Sequence, residues 1–346
     1  MNNSLSSESK LFIYLIEDDK KFLWGINFDK FDWIRFLKLA SFNRILHFAI
    51  GKLLSDLSIP VPGKIEAMMR DILKVAENYL EKLKKTLELC KNVLEKEGIE
   101  YLIVKTDKVL RFATMDVDLF VHKYDIERVR NLFAEKAGAK VTPFLPKNQT
   151  DIYVEGLLMI DLHEDFFWFR QEYFDNELVW NEKRQIAMEG VEVPIPSKTI
   201  DMLLTVAHIL YERLHVTLLE FNYILVNSCD VDWEFIYREA EKYHWEDNLN
   251  YFANMMNVLC AKVYGKNHDV IPIRKKVYVS ISRNLEFPYL LPFSQMMMIF
   301  ARNLVQRRHL KYYDVAYHVF ANLRCQITRG EKYPMFYHWY KFGEDK

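Results

Sequence analysis

The sequence predicts an α+β protein: a small mixed sheet core held between helical regions. Three observations predict it. Helical patterns, with apolar residues three and four apart, fill 11–57 and 64–97 and return after 197. Between them the pattern switches to short apolar runs with β character, among them YLIVK, MDVDLFV and LLMIDLH. Gly98 and Pro196 punctuate the two switches. The chain accordingly divides into an N-terminal helical region, 1–98, an α/β core, 99–195, and a C-terminal helical domain, 196–346.

Taken in order, residues 1–10 are polar and read as frayed. The stretches 11–24 and 31–57 read as amphipathic helices, and Pro60 and Pro62 break the pattern as a loop. Over 64–97, Ile65, Met69, Ile72, Leu80, Leu83, Leu87 and Leu94 form one apolar stripe. That spacing predicts a long helix with its Lys/Glu face in solvent, stopped by Gly98. Strands are expected at 99–105 and 115–122, a helix at 125–137 ended by Gly138, and a short strand at 140–144. Residues 151–153 and 157–163 read as a hairpin around Glu155 and Gly156. The stretch 164–195 is less regular, with a strand at 191–195. Pro196 and Ser197 open another helical region over 198–225, and helical patterns continue from 232, interrupted near 265–272 and 288–292. No internal repeat or low-complexity tract is present.

Composition narrows the function classes. A formal net charge of -1 leaves no global positive field for nucleic acid, so such binding needs a local patch. Arg302, Arg307, Arg308, His309, Lys311, Tyr312 and Tyr313 form the densest such cluster, which reads first as a solvated helix face. Cys90, Cys229, Cys260 and Cys325 lie far apart and form no C-x-x-C pair, which argues against zinc ribbons and redox motifs. They read as buried, reduced thiols of a cytoplasmic protein. The first residues carry no signal pattern, and no apolar run approaches the roughly 18 residues of a membrane span, so no membrane partner is expected.

The chemistry concentrates in the aspartates. Residues two apart on a strand point the same way, so Asp116 and Asp118 share a face. They are the only polar side chains of MDVDLFV. Unpaired, buried carboxylates would cost several kcal/mol or titrate to neutral forms. A bound cation with a preference for oxygen ligands explains them best, Mg²⁺ foremost. A structural pair satisfied by Arg or Lys is the alternative. Asp161 lies in a second apolar run and completes a set of three that suits a two-metal phosphoryl-transfer site. His163 shares its face and is placed to orient a metal ligand, or to serve structure alone.

The stretch GIEYLIVKTDKVLRFATMDVDLFV, then a helix, then LLMIDLHEDFFW, resembles the uncharacterised nucleotidyltransferase family of the DNA polymerase beta superfamily. FDWIRFLKLASFNRILHFAIGKLL is similar to that family's opening helix. PSKTIDMLLTVAHILYERLHVTLLEFNYILV is similar to its later helical segment, whose histidine and acidic residue correspond to His208 and Glu220. The resemblance implies a polymerase-beta-like mixed sheet and transfer of an NMP from an NTP, ATP foremost, to an acceptor. The acceptor, a protein, an RNA end or a small molecule, is left open. It implies Asp116, Asp118 and Asp161 as the catalytic metal triad for two Mg²⁺ or Mn²⁺ ions, with His163 beside them. It implies Lys105, Thr106 and Arg111 as nucleotide-binding residues. Thr106 stands where the family has glycine, which lets backbone N–H groups approach phosphates. A second reading keeps this fold as a nucleotide-binding or protein-interaction module without turnover.

Overall fold

The computed structural model describes residues 5–291, apart from 106–107, 145–148, 169–170, 214, 266–268, 280 and 282–284. Thr106, Cys325 and the basic cluster around Arg307 lie outside the described residues.

The N-terminal region is helical, in shorter pieces than the periodicity predicts. Helix α1 spans Ser7–Glu17 and starts earlier than expected, because the Ser6 hydroxyl caps it by accepting from the Ser9 N–H at 3.1 Å. It stops at Asp18, whose φ of 55° is left-handed. Helices α2, Trp33–Phe42, and α3, Leu46–Ser55, are divided at Asn43 and Arg44. The buried Asn43 side chain explains the break. It donates to the Leu39 carbonyl at 2.8 Å and accepts from the Leu218 N–H at 2.9 Å, tying the helix end to a segment 175 residues later.

Helix α4, Gly63–Glu95, has 33 residues and so runs for about 50 Å. Its stripe is buried as the spacing predicts from Met69 onward, with Ile65 half-buried, and the helix joins two cores. Met69 and Ile72 sit in the core built by α1–α3 and the C-terminal helices. Leu80, Leu83, Leu87, Cys90 and Leu94 pack under the sheet.

The sheet comprises β1, Tyr101–Val104, β2, Asp116–Val121, β3, Lys140–Phe144, β4, Gln149–Tyr153, and β5, Met159–His163, in the order β1-β2-β5-β4-β3. Strands β2 and β5 are parallel, and the other neighbours are antiparallel. Helix α5, Ile126–Ala137, ended by left-handed Gly138, lies between β2 and β3 in the chain. Beyond the sheet come two short strands, β6, Phe167–Trp168, and β7, Gln171–Glu172. A hairpin follows, β8, Lys183–Met188, with β9, Val191–Pro196. Its turn residues Glu189 and Gly190 both have positive φ, the geometry of a two-residue hairpin loop. Strand β8 escapes the sequence reading because its inward face is only half-buried and carries Arg184 before Ile186 and Met188, so its apolar alternation is short.

The helical region expected over 198–225 consists of α6, Lys198–His208, and α7, Leu218–Asn227. Thr217 and Glu220 explain the second start. The Thr217 hydroxyl accepts from the Glu220 N–H, and the Glu220 carboxylate accepts from the Thr217 N–H at 2.9 Å. A short β10, His215–Val216, pairs with β11, Tyr289–Leu290, and between them run α8, Trp233–Lys242, and α9, Glu246–Tyr264. Among the described cysteines Cys90 and Cys260 are buried, as expected, but Cys229 is exposed at the end of α7. Among the described residues no helix is long and apolar enough to cross a membrane.

Candidate metal centre

The parallel pairing of β2 and β5 builds the site. Asp118 and Asp161 are direct partners in its register, and two residues along, Phe120 is the partner of His163. In a parallel pair the side chains of such partners rise on the same face. The two carboxylates therefore meet across strands, and alternation brings His163 up beside them. Asp118, Asp161 and His163 offer ligand atoms that all lie within 4.8 Å of one another. His163 Nε2 stands 2.9 Å from Asp118 Oδ1 and 3.6 Å from Asp161 Oδ2.

Lys105 completes the electrostatics. Its Nζ donates to Asp118 Oδ1 at 3.1 Å and lies 5.7 Å from the centroid of the Phe166 ring. Burial alone would raise the Asp118 carboxyl, but the Lys105 ammonium and the His163 hydrogen bond reverse it. The carboxyl is held well below the usual range, so Asp118 is an anion at neutral pH. The Phe166 ring stacks on Phe120 at 4.7 Å and on His163 at 5.7 Å, closing one side of the cluster with apolar surface.

Lys105 has φ +60°, a left-handed conformation uncommon outside glycine. The chain leaves β1 through this sharp step, so the conformation that glycine favours falls on Lys105 itself. Backbone held in such a region persists only where its surroundings over-determine it, and such residues gather at functional sites.

Asp116 lies on the same face as Asp118, at the start of β2. Its Oδ1 accepts from the Thr114 hydroxyl at 3.0 Å, and its carboxylate is not among the three groups that converge within 4.8 Å. Arg111 is engaged elsewhere. Its guanidinium meets Glu189 of the β8–β9 turn at 2.8 Å and Glu77 of α4 at 3.6 Å. His208 is half-buried at the end of α6, and the buried Glu220 serves as the capping residue of α7.

Two features escaped the sequence reading. Asp151 on β4 is the register partner of Asp161, so a further carboxylate continues the row Asp118–Asp161 across the sheet, with the Tyr153 hydroxyl donating to it at 3.2 Å. The alternation of TDIY was the available signal. Lys108, in the loop between β1 and β2, is buried against Asp201 of α6. No local pattern marks it, since a lysine in a polar loop reads as solvated.

The set of two carboxylates and an imidazole is one that can hold a divalent cation. No curated protein matches the chain. A family profile matches residues 29–261, a span that runs from α2 into α9 and takes in the whole sheet and the acidic cluster. With more than half its length so matched, the chain belongs to the family described as uncharacterised nucleotidyltransferases.

Proposed function

We propose that this protein transfers a nucleoside monophosphate from an NTP, ATP foremost, to a hydroxyl of an acceptor, with Mg²⁺ or Mn²⁺ as the resident ions. The meeting of Asp118, Asp161 and His163 across the parallel β2–β5 pair carries the reading. The donor set fits such ions: Asp118 is held ionised, Asp161 lies beside it, and the imidazole nitrogen favours Mn²⁺ as an alternative to Mg²⁺. Two ions would be held by Asp118 and Asp161, with Asp116 as a further ligand and His163 as ligand or orienting group. When bound, they supply neutralisation of the triphosphate and polarisation of the reacting phosphoryl oxygens.

The chain's own residues carry the rest. Lys105, which donates to Asp118, would turn its ammonium to the phosphates of the NTP. Arg111 and Thr106 are the further residues assigned to binding the phosphates. Asp161 takes the proton of the acceptor hydroxyl. The hydroxyl oxygen bonds to the α-phosphorus, the bond to the bridging α–β oxygen breaks, and pyrophosphate leaves with that electron pair. Phe166 keeps water from one side of the cluster. An NTP-consuming reaction and reduced thiols suit the cytoplasm.

Calorimetric titration of Mn²⁺ and each NTP into the chain and its Asp118→Asn variant tests the reading. The parent should bind both ligands and the variant neither well. Incubation with labelled NTPs and a cell extract, followed by mass analysis, should then find an acceptor heavier by one NMP. A parent chain that binds metal but no NTP would leave the non-catalytic reading standing.

A further inference from the structure

The loop that follows Lys105 carries a second lysine with a different environment. Lys108 Nζ lies 3.6 Å from Asp201 Oδ2, with its side chain 3% exposed and that of Asp201 2%. It also donates to the Thr205 hydroxyl at 3.2 Å and stands 4.0 Å from the centroid of the Tyr223 ring. The Tyr223 hydroxyl donates to the same Asp201 carboxylate. One ammonium is thus enclosed by an anion and a hydroxyl of α6 and an aromatic face of α7. Three residues earlier the same chain segment holds Lys105 against the acidic cluster.

Stability alone does not call for this arrangement. Taking two charges out of water offsets most of their attraction, and well-packed apolar residues often do as well. What an enclosed pair adds is geometry: the ammonium fits only one position, and the loop must follow it. The left-handed step at Lys105 needs such an external constraint, since its backbone is not one that a lysine adopts freely.

We propose that Lys108 is a positioning residue, a peg that locks the turn after β1 into the α6–α7 helix pair and so presents Lys105 to the triphosphate. The inference rests on the nucleotidyltransferase reading and deepens it. It makes the C-terminal helices part of the nucleotide site, although none of the contacts named here places their side chains on the acidic cluster.

The test uses the full chain and a variant, Lys108→Met with Asp201→Asn, that removes both charges and leaves no buried ion unpaired. Three quantities are read: Mn²⁺ affinity without nucleotide, Mn²⁺–ATP affinity, and backbone hydrogen exchange over 104–112. Loss of the peg should weaken ATP binding by about tenfold, leave Mn²⁺ binding within about twofold, and speed exchange over 104–112. Exchange that quickens while ATP affinity holds overturns the positioning role. So does exchange that stays slow. A parent chain that binds none of the four NTPs overturns the function reading and this role together, whereas unchanged ATP binding in the variant overturns this role alone. Should the double variant fail to fold, Thr205→Val keeps the shape and the lysine while removing one contact. It should weaken ATP binding by a few-fold without touching Mn²⁺ binding, and equal ATP affinity would overturn the role.

Discussion

Two lysine–aspartate pairs leave the same loop and behave as opposites. Lys105 and Asp118 are about a fifth exposed, the lysine sits on a left-handed backbone, and the aspartate also has His163 and the neighbouring Asp161 within reach. Lys108 and Asp201 are sealed from water, and the lysine's partners Asp201, Thr205 and Tyr223 belong to α6 and α7. The first pair can open, because water reaches it. The second cannot open without leaving a bare charge in an apolar setting. The difference teaches that the same two side chains serve exchange or fixation according to what surrounds them.

Breaking each pair on its own gives the largest contrast. Lys108→Met strands Asp201 in the core and should cost ~3–5 kcal/mol in chemical denaturation. Lys105→Met leaves Asp118 with His163 and with water, and should cost ~1 kcal/mol or less. Equal losses from the two would erase the distinction. The partner of the first pair offers the next contrast. Asp118→Asn should fold nearly as well as the parent, since Lys105 can turn to solvent. Its Mn²⁺ affinity should nonetheless fall by more than about 100-fold, a larger loss than removal of an outer-shell partner causes. Manganese resonance titration measures it, and retained affinity would place the ion elsewhere.

Acid sharpens the comparison more gently. The Asp118 carboxyl is held below its ordinary value in the fold, against burial, by Lys105 and then His163. A group depressed in this way contributes stability that is present above its unfolded pKa, about 3.9 for aspartate, and lost as pH falls through its lower folded value. Removing the Lys105 charge lets the folded value rise toward the ordinary one. Lys105→Met should therefore start to unfold at a higher pH than the parent when acid titration is followed by circular dichroism. Coincident acid transitions would show that Lys105 does not hold that carboxylate.

Much of this was legible in the sequence, and the residues show why. The stripe of α4 and the apolar runs of β1, β2 and β5 follow local periodicity, so the sheet elements and the long helix were readable. Asp118, Asp161 and His163 were readable because buried strands tolerate few polar residues. What failed depended on partners far along the chain. The α2–α3 break is set by Asn43 bonding to Leu218, 175 residues later. The peg at Lys108 meets residues of α6 and α7 some 93 positions or more away, which no spacing rule reports. Arg111 was read as a phosphate ligand, and only the fold reveals Glu189 and Glu77 as its present partners.

That arginine supplies the smallest expected effect. Its guanidinium is half exposed, so its pair with Glu189 is screened by water and contributes only ~0.2–1 kcal/mol. Arg111→Ala should accordingly change the denaturation midpoint little. If the proposed function holds, Arg111 leaves Glu189 for the triphosphate as Lys105 leaves Asp118. The comparison then gains a third member, an exposed pair that opens as readily as the Lys105 pair. Glu189→Gln, which loosens the resting pair and keeps Arg111, should bind ATP slightly more tightly, and Arg111→Ala should bind it less tightly by ~1–3 kcal/mol. Isothermal titration with each variant measures both. Identical ATP affinity across the parent, Glu189→Gln and Arg111→Ala would make Arg111 a strut between α4 and the β8–β9 turn, with Lys105 the cation that meets the phosphates.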